Sequence, residues 1–192
     1  MLYFPFLKLP FLAVQNIVHN LSCTEIIELS LCSRRSKRLM QSIRHPEPTH
    51  IEIIIDQYRM YVALRNGIKK CSFWSIETDE ERPLKYNRVD TIENDRVRVL
   101  KLTEPNFMID GTPEPETVMK ALVDHLKDVF KLPLEVNFKP YKMENFFRFL
   151  PVFPICKRFY FHATQGVSEE ELKYVKDNVV VEQWAYYYTA DN

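Results

Sequence analysis

The chain has 192 residues, enough for one large domain or two small ones, and 46% hydrophobic with 13% aromatic residues supply a packed core. Lys+Arg and Asp+Glu balance at 26 each, so no global field points to nucleic acid or a membrane surface. The three glycines, Gly67, Gly111 and Gly166, stand alone, which argues against the glycine clusters that cradle phosphate in Walker or Rossmann loops.

The chain opens on a long apolar run, "LKLPFLAVQNIVHNL", whose one charge is Lys8. Its length suits a signal peptide, but Pro5 and Pro10 interrupt it, no basic segment precedes it and no small-residue cleavage site follows. It is also too short and too punctuated to span a bilayer as a helix. An intracellular protein is expected, cytoplasmic or nuclear, in which the Asn20-Leu21-Ser22 sequon carries no sugar.

Residues 10 to 44 read as three short helices. Pro10 suits the first position of the first helix, and Val14, Ile17, Val18 and Leu21 follow at helical spacing. Ser22-x-x-Glu25 is a capping box opening a second helix, "CTEIIELSL", with Ile26 and Leu29 inward. "CSRRSKRLMQSIR" makes a third, its basic residues outward and Leu39, Met40 and Ile43 inward, until His45-Pro46-Glu47-Pro48 stops it.

From Thr49 the pattern turns to strands. "HIEIIID" reads as a buried strand, and "YRMYVAL" and "IKKCSFWSI" flank Arg65-Asn66-Gly67 as a hairpin. "ETDEERPLKYNRVDTIENDR" is expected to be a long solvated loop, followed by the strand "VRVLKL". In the last third Thr112 is expected to cap a helix with Pro113 at its first position. Val118, Leu122, Leu126, Val129 and Phe130 line one face of that helix. The strand "PLEVNF", a shorter helix "MENFFRFL" and the strand "KRFYFHA" come next. A helix capped by Ser168-x-x-Glu171 and the strand "VVVEQWAYYY" close the sequence. Three helix–strand units recur roughly every two dozen residues, the period of α/β solenoids such as leucine-rich repeats. The last strand is strongly apolar and has no capping repeat after it. A partner covering that edge, or a shortened form of a longer protein, would explain this.

A search for chemistry finds little. There is no Gly-x-Ser-x-Gly, no HExxH and no calcium loop, and His19, His45, His50, His125 and His162 are scattered singly. Cys23, Cys32, Cys71 and Cys156 form no CxxC pair and no metal-like spacing, and Cys32 and Cys156 read as buried thiols among apolar neighbours. No catalytic residue, cofactor or metal site is expected. Arg34, Arg35, Lys37 and Arg38 are the one strong basic patch. They read first as a solvated helix face, and alternatively as the recognition helix of a DNA-binding module.

The apolar surplus of the N-terminus is more informative. About thirty-five residues are too few to bury every apolar side chain of the first two helices internally. Leu7, Leu9, Phe11, Leu12, Val14, Ile17 and Val18 offer more than one apolar face, so some must pack on the following region or on another protein. The stretch "LPFLAVQNIVHNLSCTEIIELSLCSRRSKRL" resembles an F-box. Leu9 and Pro10 match its opening pair, and Val14, Ile17, Val18 and Leu21 match its first helix. Glu25 and Ile26 match the acidic-aliphatic pair, and Leu31, Cys32, Ser33 and Arg34 the junction, while Arg35 stands about where many F-boxes carry Trp. "SLCSRRSKRL" is similar to the nematode-type F-box group, and "VSEEELKYVKDNVVVEQW" to the start of its type-2 F-box-associated region.

The resemblance implies an adaptor of an SCF-type ubiquitin ligase that docks on a Skp-type subunit, and through it a cullin, while the remainder recruits an unknown target. The partner-binding residues it implies are Leu9, Pro10, Val14, Ile17, Val18, Leu21, Ile26, Leu31 and Cys32. A shortened, non-productive decoy is the other reading within the same family. The fold expected is α+β. A three-helix F-box at 5–46 is followed by a β-rich connecting segment at 49–102 and incomplete, leucine-rich-repeat-like helix–strand repeats at 112–192.

Overall fold

The computed structural model describes residues 8–78, 88–92, 95–102, 106–111, 114–162 and 167–187. Three helices come first: α1 (Phe11–Val18), α2 (Cys23–Cys32) and α3 (Arg34–Gln41). Pro10 is the N-cap of α1 and not its first residue; its carbonyl accepts from the amides of Ala13 and Val14. The capping box of α2 is complete: Ser22 Oγ accepts from the Glu25 amide at 3.3 Å, and Glu25 Oε2 accepts from the Ser22 amide at 2.8 Å. Ser33 caps α3, its Oγ accepting from the Ser36 amide at 3.0 Å. Replacing Ser22 with Ala removes one arm of the box, and urea unfolding is expected to show a loss of about 1 kcal/mol.

The rest builds one mixed sheet. Its strands are β1 (His50–Ile55), β2 (Met60–Asn66), β3 (Lys69–Glu77), β4 (Arg88–Ile92), β5 (Asp95–Lys101), β6 (Asn106–Asp110), β7 (Leu134–Phe138), β8 (Ile155–His162) and β9 (Val180–Tyr187). They lie in the order β4-β5-β6-β3-β2-β1-β7-β8-β9. Helix α4 (Pro115–Phe130) precedes β7, a 3-10 helix (Phe146–Val152) precedes β8, and α5 (Glu169–Asn178) precedes β9. The helix–strand alternation of the last third is therefore present, with β1, β7, β8 and β9 side by side in parallel. The segments 49–102 and 112–192 contribute strands to one sheet, because β1 pairs with β7.

Several local expectations change. Residues 88–92 lie not in a solvated loop but in β4, where Ile92 is buried opposite β5. Strand β6, "NFMID", is not among the expected strands, yet it buries Phe107 and Ile109. Thr112 and Pro113 lie outside the described residues; α4 starts at Pro115, with Glu114 as its N-cap. "MENFFRFL" becomes a 3-10 helix starting at Phe146, with Pro151 inside it. The hairpin turns on Gly67-Ile68, with Asn66 paired to Lys69, and Gly67 takes φ 56° at the first turn position. That backbone suits glycine. Gly111 is held for a different reason: a Cβ there would come within 2.5 Å of Ile76 Cγ2.

The helices share one face of the sheet. Ile51, Ile53 and Ile55 of β1, Leu134, Val136 and Phe138 of β7, and Phe159 and Phe161 of β8 are buried beneath them. Trp184 and Tyr186 extend this layer, half-buried, with Trp184 4.9 Å from the Phe159 ring. Helices α2 and α3 are tied to β3 and α4 by Thr24 Oγ1–Ser72 Oγ at 3.1 Å, Ser30 Oγ–His125 Nε2 at 2.8 Å and Lys37 Nζ–Asp128 at 3.0 Å. The first two are buried, so they orient α2 against β3 and α4 more firmly than the exposed ion pair does.

Candidate functional site

The N-terminal helices divide the predicted partner-binding residues into two groups. Val14, Val18 and Ile26 are buried within the chain, at 3% exposure or less. Their side chains belong to the core of the isolated chain. Leu9, Ile17, Leu21 and Leu31 are half-buried, while Pro10 and Cys32 are exposed. Cys32 thus corrects the expectation of a buried thiol. It is the last residue of α2, and its Sγ turns back to the Glu28 carbonyl at 3.2 Å. Cys156 does lie in the core, where burial pushes its thiol up to about 12.

Two residues at the start of α1 have no such cover. Phe11 is 51% exposed and Leu12 72%. With Leu9 and Pro10 they form a run of four apolar residues at the helix start; Leu12 points away from the Val14–Val18 stripe, while Phe11 lies at the exposed end of that stripe. A helix holds such a surplus outward only at a cost in hydration, and an exposed apolar cluster is the usual mark of an interaction surface. On α3 the basic patch is divided. Lys37 leans onto Asp128 of α4, while Arg34, Arg35 and Arg38 are exposed.

The far face of the sheet is a second surface. Alternation places Glu52 and Ile54, Tyr61 and Ala63, Phe73 and Ser75, Glu135 and Asn137, and Arg158 and Tyr160 away from the helices. Ion pairs and hydrogen bonds run across neighbouring strands: Arg65 Nε donates to Glu52 at 2.7 Å. Arg158 donates to Glu135 at 3.0 Å and to Gln183 at 3.1 Å. Tyr61 and Phe73 pack at 4.8 Å with the Lys70 ammonium 4.2 Å from the Phe73 ring.

The structure also brings together three groups that sequence spacing did not connect. Cys23 Sγ, Cys71 Sγ and a Glu47 carboxylate oxygen lie within 4.8 Å of one another, though 24 residues separate the first from Glu47 and a further 24 lead to Cys71. Cys23 donates to Glu47 Oε2 at 3.7 Å, and Lys69 Nζ sits 2.6 Å from Glu47 Oε1. Burial, with Cys71 and Glu47 as neighbours, holds the Cys23 thiol far above its ordinary value. Cys71 is raised too, first by burial and then by Glu47.

A protein-family model described as F-box domain matches residues 6–46, the span of α1 to α3 and the His45-Pro46 stop. Neither a curated protein nor a solved structure matches the chain. No helix among the described residues is long and apolar enough to cross a membrane.

Proposed function

We propose that the chain is a target-recognition subunit of an SCF-type ubiquitin ligase. Its F-box, residues 6–46, docks on a Skp-type adaptor and through it on a cullin. The observation that carries this reading is the coincidence of that F-box with the exposed apolar start of α1, Phe11 and Leu12. In this reading the protein positions a target and performs no chemistry itself, inside the cell.

Target recognition falls to the far face of the sheet. That face alternates apolar, aromatic and charged side chains, the mixture typical of a non-obligate protein interface. In this reading "VSEEELKYVKDNVVVEQW", which forms α5 and the first part of β9, is an F-box-associated region of the nematode type. Helix–strand units of leucine-rich-repeat type are part of the same proposal.

Co-expression with a Skp-type adaptor, followed by size-exclusion chromatography, tests the docking. A stoichiometric complex that also retains a cullin is expected. A folded chain that elutes alone at micromolar concentration would sink the proposal, and a complex that enriches no target after proteasome inhibition would favour the decoy form.

A further inference from the structure

We propose that Cys23, Glu47 and Cys71 form a zinc site that staples the N-terminal helices to the sheet. Cys23 is the first residue of α2, Glu47 lies in the segment leaving α3, and Cys71 lies in β3. The placement of Cys71 depends on a β-bulge. In the β2–β3 ladder Leu64 pairs with Ser72 and Arg65 with Lys70, so Cys71 is passed over. Strict alternation would send Cys71 to the far face with Phe73. The bulge turns it instead to the helix side beside Ser72, whose hydroxyl meets Thr24 of α2, so that Cys71 meets Cys23.

The donor set suits a borderline-soft divalent cation. Thiolates select zinc over calcium and magnesium, and a carboxylate completes many such sites. With Zn–S at about 2.3 Å and Zn–O at about 2.1 Å, a tetrahedral site has an S···O edge of about 3.6 Å. The Cys23 Sγ to Glu47 Oε2 separation is 3.7 Å, long for a hydrogen bond but close to that edge. Without a metal the two thiols stay protonated beside the carboxylate. Zinc binding releases both protons to solvent and leaves three anionic ligands on a dication. The remaining negative charge faces the Lys69 ammonium on Glu47 and the N-terminal end of α2. An open groove of about 460 Å³ lined by Val18, His19, Leu21, Cys23, His45 and Glu47 gives entry and room for water at a fourth position.

The staple would fix the angle between the docking helices and the sheet. The proposal stands on the three side chains and the bulge, independently of the adaptor reading. Titrating the full-length, anaerobically reduced protein with Co2+ tests it, since cobalt reports tetrahedral thiolate ligation by its visible d–d bands and its sulfur-to-cobalt charge-transfer band. One equivalent per chain is expected, displaced by Zn2+ and accompanied by a rise in Tm. The bands should vanish in Cys23→Ser/Cys71→Ser and persist in Cys32→Ser. Absence of thiolate bands in the wild-type protein would overturn the proposal whatever the variants do. Equal metal uptake by the double variant would overturn it too.

Discussion

Phe138→Ala is expected to destabilise the protein by about 3–5 kcal/mol, a large part of the stability of an ordinary domain. At about 2–4 °C per kcal/mol for a chain of this size, Tm should fall by roughly 10 °C. The reason is position. Phe138 ends β7, has no exposed surface, and its ring centre lies 5.6 Å from Phe153, 5.8 Å from Phe146, 6.0 Å from Phe161 and 6.2 Å from Phe159. These rings come from β7, from the 3-10 helix and the residue after it, and from β8. Truncation leaves a cavity where three structural units meet, and the neighbouring rings are too constrained to fill it. Edge-to-face contacts add to the loss beyond the area exposed. Ile68→Ala is the control: at 97% exposure it should change stability by less than about 0.5 kcal/mol. Differential scanning calorimetry showing Phe138→Ala and Ile68→Ala within 1 kcal/mol of each other would refute this account of the core.

What the sequence disclosed follows from how local each signal is. The capping boxes at Ser22 and Ser168 are contained within four residues, and both form as expected. The inward face of α4 is also legible, since Leu122, Leu126 and Val129 repeat with the helix and all are buried. Strands β4 and β6 are not legible. Each has five residues, and β4 lies within a charged run whose composition reads as loop. They are strands because β5 pairs with β4, and β3 and β5 pair with β6, which are non-local causes. The F-box helices were readable as helices. Which of their apolar residues face outward was not, because α2 packs against β3 and α4, elements more than 35 residues further along. The Cys23–Glu47–Cys71 cluster was the least accessible, since a bulge reverses the side of the sheet that Cys71 would otherwise occupy.

The same division between buried and uncovered residues sets the expected effects on partner binding. Leu12→Asp and Leu9→Ala/Pro10→Ala change side chains that are exposed or half-buried in the isolated chain, so Tm should move by less than about 2–4 °C. If the start of α1 is the hot spot of a Skp-type interface, each should weaken co-purification at least about 100-fold, equivalent to about 2.7 kcal/mol. Val14→Asp must behave differently. Its side chain is 2% exposed, so a buried, unpaired carboxylate would unfold α1 and lose binding together with stability. The pair of readouts separates a docking role from a folding role. Full binding by folded Leu12→Asp and Leu9→Ala/Pro10→Ala proteins would remove the apolar helix start from the interface. Any adaptor contact would then have to use the exposed end of α2 around Cys32 or the arginines of α3.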